Sequence, residues 1–178
     1  MNLWHEISPG ENVPEKVNVI VEIPKGSHNK YEIDKETGLI KMDRANYSDA
    51  AYPVEYGFVP QTLWDDGDAL DTIILATYPI ASGILVTGRP VGLMKMIDGG
   101  ESDDKLICVP DGDIRWDDVR DINDINKHTL REIQHFFENV KKLKAKPVVT
   151  EVNGFVGKTE AMDAVRAGIE LYKQKFQK

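Results

Sequence analysis

Alternation of apolar and polar residues runs through positions 17–110, and a helical repeat replaces it in the last third of the chain. Val17, Val19, Val21 and Ile23 make one unbroken apolar face of a strand, while Asn18, Ile20 and Glu22 share the other. Pro24-Lys25-Gly26-Ser27 ends that strand. Lys30-Tyr31-Glu32-Ile33-Asp34 alternates again, and Thr37-Gly38 turns into Leu39-Ile40-Lys41-Met42-Asp43-Arg44, so the two segments read as a hairpin. Shorter strands are predicted at 57–59, 72–76, 84–87, 91–96 and 105–109. Gly, Pro and Asp separate them at even spacing, which favours a small antiparallel barrel or sandwich over alternating βαβ units. Residues 1–16 are polar, carry Pro9, Gly10 and Pro14, and read as an irregular lead-in.

Later on the period changes. Leu130, Ile133, Phe136, Phe137, Val140 and Leu143 recur at helical spacing, with Asn126 or Thr129 as the cap. Ala161, Val165, Ile169, Tyr172 and Phe176 form a second stripe, with Thr159 as its N-cap. The order predicts a β-dominated α+β fold in one domain, residues 1–178, since no repeat or linker divides the chain. Gly157-Lys158-Thr159 reads as a helix N-terminus, because Val152 stands where a phosphate-binding loop needs glycine.

Composition narrows the function. Hydrophobic and charged fractions of 41% and 29% are those of an ordinary globular chain, and the formal net charge of -8 argues against a nucleic-acid partner. Cys108 is the only cysteine, so no internal disulfide can form; its apolar strand marks it as packing rather than as a nucleophile. The first six residues lack the basic and apolar regions of a signal peptide, and no apolar run approaches the ~20 residues of a membrane span. The expectation is a cytoplasmic protein without membrane contact.

Asp65-Asp66-Gly67-Asp68-Ala69-Leu70-Asp71 places four carboxylates in one short stretch, followed by the apolar Thr72-Ile73-Ile74-Leu75. Like charges this close raise the cost of ionising one another, which a bound cation or full hydration offsets. The spacing is not that of an EF-hand, since Thr77 occupies the position of its final glutamate. His5, His28, His128 and His135 are scattered, which disfavours zinc. Oxygen-ligand chemistry remains, and Gly67 supplies the bend that lets Asp66, Asp68 and Asp71 converge. An enzyme acting on phosphates also needs cations, for which Lys30, Arg44, Lys105 and Lys141 are candidates. A non-catalytic divalent-metal protein would account for the acids alone, and an OB-like binding module would want a basic, aromatic strand face.

A wider pattern adds to this. Val19-Ile20-Val21-Glu22-Ile23-Pro24, Lys30-Tyr31-Glu32-Ile33-Asp34, Asp43-Arg44 and Tyr52-Pro53-Val54-Glu55-Tyr56-Gly57 precede the acidic stretch. Arg89-Pro90-Val91-Gly92, Lys95-Met96-Ile97-Asp98, Asp103-Asp104-Lys105, Val109-Pro110 and His135-Phe136-Phe137-Glu138 follow it. In this order they resemble the soluble family I inorganic pyrophosphatases of prokaryotic type. The resemblance implies a five-stranded OB-like closed barrel with flanking strands and two C-terminal helices. It implies Mg²⁺-dependent hydrolysis of pyrophosphate to two phosphates, with Mn²⁺, Zn²⁺ or Co²⁺ as substitutes, in a homohexamer. Carried over by position, Asp66, Asp71 and Asp103 match the principal metal ligands, and Asp98 and Glu22 match acids that join them with substrate. Asp68 matches the general base, and Lys30, Arg44, Lys105 and Lys141 match the phosphate-binding cations. Tyr56 matches a tyrosine beside the acids, and Tyr52 and Glu32 match supporting polar neighbours.

Three positions depart from the pattern. Ala69 stands where proline or glutamate is general, which predicts a looser approach of Asp68 and Asp71. Gly99 replaces a glutamate of many bacterial members. Val140 replaces a tyrosine that bonds phosphate in the family, which predicts weaker phosphate contacts; read from its own stripe, Val140 simply extends the apolar face of its helix.

Overall fold

The first alternating stretch forms β1 (Val17–Ile23), but its apolar face is not continuous. The register against the next partner shifts between Val21 and Ile23, as at a bulge. Val17, Val19 and Val21 therefore enter one core, and Ile23 enters another. The shift also brings Glu22 to the wall of a cleft. The computed structural model describes residues 1–177.

β2 (Asn29–Ile33) and β3 (Ile40–Ala45) pair antiparallel as the expected hairpin and form a separate two-stranded sheet. The main sheet contains β4 (Glu55–Phe58), β5 (Asp71–Ile74), β6 (Leu85–Asp98), β7 (Glu101–Ser102), β8 (Lys105–Pro110) and β9 (Thr150–Val156), together with β1. Five of its strands close a ring in the order β1-β4-β5-β8-β6, with β6 pairing back to β1. Closure leaves these strands without open edges. The ring is not wholly antiparallel, because β5 and β8 run parallel.

β6 differs most from expectation. The two predicted strands at 84–87 and 91–96 are one strand of 14 residues that runs through Pro90. A register shift between Pro90 and Gly92 absorbs the missing N–H. The strand bonds β1 over Leu85–Gly88 and β9 from Leu93 onward. β9 itself was not predicted: Asn153-Gly154 interrupts its pattern, and Gly154 takes a positive φ of 113° at another register shift.

α1 (Lys127–Asn139) starts at Asn126, whose side chain accepts from the His128 N–H. It ends before Leu143, which is exposed rather than part of the buried stripe, while Val140 remains buried at the C-cap. α2 (Lys158–Phe176) is capped at Gly157 instead of Thr159. Asp121, distant in sequence, accepts from the Lys158 N–H at 2.8 Å and supplies the cap from outside the helix.

Alternate residues of the ring strands feed two cores. Val19, Leu70, Ile74, Leu106 and Cys108 meet Ala161 and Val165 of α2. Ile73, Met94, Ile107 and Val109 face the opposite way and meet Ile133, Phe136 and Phe137 of α1. Cys108 is fully buried, and burial pushes its thiol pKa up, as suits a packing residue. No helix among the described residues is long and apolar enough to cross a membrane.

Candidate active site

The acidic stretch is shaped by its own turn bonds. Trp64 N–H donates to the Asp68 carbonyl at 2.7 Å, Gly67 N–H donates to the Trp64 carbonyl at 3.0 Å, and Gly67 has φ +85°. An L side chain is strained at that φ, so glycine suits the bend. Asp68 N–H donates to Asp66 Oδ1 at 3.0 Å, which fixes the Asp66 carboxylate over the turn. β5 begins only at Asp71. The reversal through Gly67, rather than strand geometry, therefore turns Asp66 and Asp71 toward each other.

Asp103 reaches the same place from the loop between β7 and β8. Single carboxylate oxygens of Asp66, Asp71 and Asp103 all lie within 4.8 Å of one another. Beside them stands Lys105, the first residue of β8 and only 2% exposed. Its ammonium lies 2.6 Å from Asp71 Oδ2 and also pairs with Asp103. Tyr56 of β4 donates its hydroxyl to the same Asp71 oxygen.

A cleft of about 570 Å³ opens over this group. Every residue given a site role by the resemblance lines it: the acids above with Asp98, Glu22 and Asp68, the cations Lys30, Arg44, Lys105 and Lys141, and Tyr52, Tyr56 and Glu32. Asp65 points to solvent and does not. Lys30 pairs with Glu32 at 2.5 Å and with Asp43 at 3.3 Å, and Arg44 shares Asp43. Across the cleft Lys141 pairs with Asp98, which also accepts from Thr150 at 3.0 Å. Glu22 accepts from the Ile33 N–H at 2.6 Å and so ties the hairpin to β1.

Nine carboxylates and six cationic side chains line the cleft, an excess of negative charge that shows in the titration of the acids. Burial, with Asp71 and Asp66 beside it, pushes Asp103 up to about 7 against the pull of Lys105. Burial and then Asp71 hold Glu22 well above the usual carboxylate range. Asp66 is raised for the same reasons, with Asp68 adding to them. Lys105 goes the other way: burial alone would lower its pKa, but Asp71 and Asp103 outweigh it. Asp98 is held low despite burial, because Lys141 and Thr150 stabilise its charge. Clustered oxygens that resist ionising together are a donor set suited to a hard divalent cation.

A family model described as inorganic pyrophosphatase matches residues 19–173. The chain belongs to the inorganic pyrophosphatase family. It is 42% identical over 174 residues to the inorganic pyrophosphatase of Picrophilus torridus, covering 98% of this chain and 97% of that one. The soluble inorganic pyrophosphatase of Zea mays is 45% identical, over 96% of this chain and 79% of its own length. Among solved structures, the inorganic pyrophosphatase of Thermus thermophilus superposes with a TM-score of 0.94 at 43% identity, covering 97% of this chain and 99% of that one. A type I inorganic pyrophosphatase from Toxoplasma gondii, at 23% identity, still shares the fold with a TM-score of 0.91.

Some residues of this pyrophosphatase cleft were not legible in the sequence. Trp4, from the supposed irregular lead-in, is 3% exposed and lines the cleft. Asp34, Lys35, Glu36 and Lys41 line its outer part from the β2–β3 hairpin, and Lys35 pairs with Asp68. A lone lysine in a polar turn carries no signal that would have singled out Lys35. Trp4 could have been flagged, since a tryptophan is seldom left in solvent.

Proposed function

We propose that this chain hydrolyses inorganic pyrophosphate to two phosphates with Mg²⁺ as its working cation and Mn²⁺, Zn²⁺ or Co²⁺ as substitutes. The observation that supports this most is the meeting of Asp66, Asp71 and Asp103 within 4.8 Å, in the cleft that also holds Lys30, Arg44, Lys105 and Lys141. A cleft with more carboxylates than cations suits a polyanion only when further positive charge comes with it. A divalent cation held by these three acids supplies Lewis acidity, offsetting phosphate charge and acidifying water.

The side chains divide the remaining work. Asp98 and Glu22 extend the acidic wall on either side of the three ligands. Asp68 takes the proton from the attacking water, which its place on the turn between Asp66 and Asp71 favours. Lys30 and Arg44 from the hairpin, with Lys105 and Lys141 from the opposite wall, bind phosphoryl oxygens and stabilise the leaving phosphate. Tyr56 holds Asp71 in place, Glu32 orients Lys30, and Tyr52 backs the site against Phe136 at a ring separation of 4.6 Å. The same reading makes residues 1–178 one catalytic domain, assembled as a hexamer in the cytoplasm. Sedimentation at six times the 20.0 kDa chain mass is the expected result for the assembly.

The deciding experiment is phosphate release from pyrophosphate in Mg²⁺, repeated in chelator and with Asp68→Asn. Activity is expected to vanish in chelator and to fall at least about 100-fold in the variant. Full activity in chelator overturns the metal-dependent reading, and an unaffected variant removes Asp68 as the base.

A further inference from the structure

The acidic turn does not stand alone: Trp4, with Leu3 and Ile7 beside it, packs against Ala69 of that turn. The Trp4 indole N–H donates 2.9 Å to the Thr62 carbonyl, in a fully buried contact. The Gln61 N–H donates to the Trp4 carbonyl at 2.9 Å, and its side-chain amide donates to the His5 carbonyl at 2.9 Å. These bonds hold Gln61 at φ +50°, the one positive φ outside glycine among the described residues. From there the connection reaches the acids. Thr62 Oγ1 donates to the Val59 carbonyl at 2.6 Å and accepts the Leu70 N–H at 2.9 Å. Leu70 lies between Asp68 and Asp71.

Packing follows the same path. Trp4 shares a buried cluster with Phe58, Leu63 and Ala69, the residue between Asp68 and Leu70. On its other side Trp4 stacks on His5 at 4.6 Å, and His5 Nδ1 lies 2.6 Å from the Tyr172 hydroxyl of α2. The indole is thus pressed onto the turn by the C-terminal helix and bonded to the residue that clamps Leu70.

We infer that Trp4 is a positioning residue for the metal-binding acids, acting through Thr62 and Leu70 to set how Asp66 and Asp71 face each other. The inference rests on the reading of those acids as the divalent-ion site. A residue that only fills the core would change stability alone. Trp4 changes the geometry of two ligands and therefore the affinity for the ion.

The test is Mg²⁺ binding by calorimetry to the full chain without substrate, for the wild type, Trp4→Phe, Thr62→Val and the double variant, with Tm measured for each. Trp4→Phe keeps an aromatic ring and removes the N–H, and Thr62→Val removes the hydroxyl at nearly constant volume. Each single variant is expected to weaken Mg²⁺ binding roughly three- to tenfold, the range of one lost hydrogen bond. The double variant is expected to be no weaker than the worse single one, because both cut one connection. Unchanged Mg²⁺ affinity in the singles, whatever happens to Tm, overturns the inference. So does a double variant whose loss is the product of the two. Should Trp4→Phe fail to fold, Thr62→Val alone decides between these results. Wild-type protein that binds no Mg²⁺, or whose binding survives Asp71→Asn, overturns the metal reading itself, a different result from either.

Discussion

At the scale of single residues, Val140 both ends an apolar stripe and faces the chemistry. It is buried beside Phe136 and Phe137, yet it lines the cleft next to Lys141. It extends the apolar stripe of α1 and also reaches the cleft wall. Val140 also lines a second cavity, of about 590 Å³, with Phe136 and Asn139. Val140→Tyr is expected to lower KM for pyrophosphate about tenfold while kcat stays within about twofold, since it adds a bond to a charged group. An unchanged KM counts against a missing phosphate contact. Glu55 is a different case: its carboxylate is fully buried with neither oxygen hydrogen-bonded. Burial raises its pKa, and the more distant Lys25 charge offsets this only in part. An acid raised in the folded state contributes stability below its unfolded pKa and loses it as pH rises through the folded value. Glu55→Gln is therefore expected to raise the urea midpoint more at pH 8 than at pH 5, and an equal gain at both would show that Glu55 does not titrate there.

At the scale of elements, the site depends on close approach between strands. A Cβ at Gly57 in β4 would sit 1.9 Å from the Ile20 carbonyl oxygen of β1, inside backbone that cannot move aside. Gly57→Ala is expected to cost about 3 kcal/mol or more and to separate Glu22 from the Tyr56 side of the cleft, read as a lowered urea midpoint with weakened activity. A wild-type midpoint would mean that β1 and β4 can part at no cost. The acidic turn shows the complementary case. Ala69 lacks the ring that would stiffen the chain, but it is buried against Trp4 and Phe58, so packing restrains the turn. Gly99 takes φ +61° in the β6–β7 hairpin, a conformation that suits glycine better than glutamate.

At the scale of the molecule, the cleft stores like charge that the fold must tolerate. Asp103, pushed up to about 7 by burial and its acidic neighbours, and the raised Glu22 and Asp66 bind protons in the folded chain that the unfolded chain has released. Metal-free protein is thus expected to lose stability as pH rises from the usual carboxylate range through about 7. Asp98 and Asp43, in which lysine partners outweigh burial, act below that window. His5, lowered by burial, opposes the trend below the usual histidine range. Saturating Mg²⁺ is expected to flatten or reverse the slope, because the ion binds deprotonated ligands. Urea midpoints between about pH 5 and 8, with and without Mg²⁺, check this. A flat metal-free profile would show that the three acids do not titrate together.

Local pattern by itself determined a good deal. Alternation at Val17 and Lys30, the helical stripes, the Gly67 bend and the clustered aspartates are properties of a few adjacent residues. The wider motif order tied Glu22, Lys30, Arg44, Tyr56, Asp103, Lys105 and Lys141 to one site, and all of them line the cleft. What remained was decided by partners far away in the chain. β6 runs unbroken through Pro90 because a bulge against β8 absorbs the missing N–H, and β9 forms because β6 offers it an edge. α2 begins at Lys158 because Asp121 caps it from another loop. The acidic stretch owes its charges and its Gly67 bend to local sequence, whereas Asp103 and Lys105 meet it only because β8 pairs alongside β5. Hydrogen bonds and buried charge depend on distance in space, and spacing along the chain records that distance only within a turn or a strand.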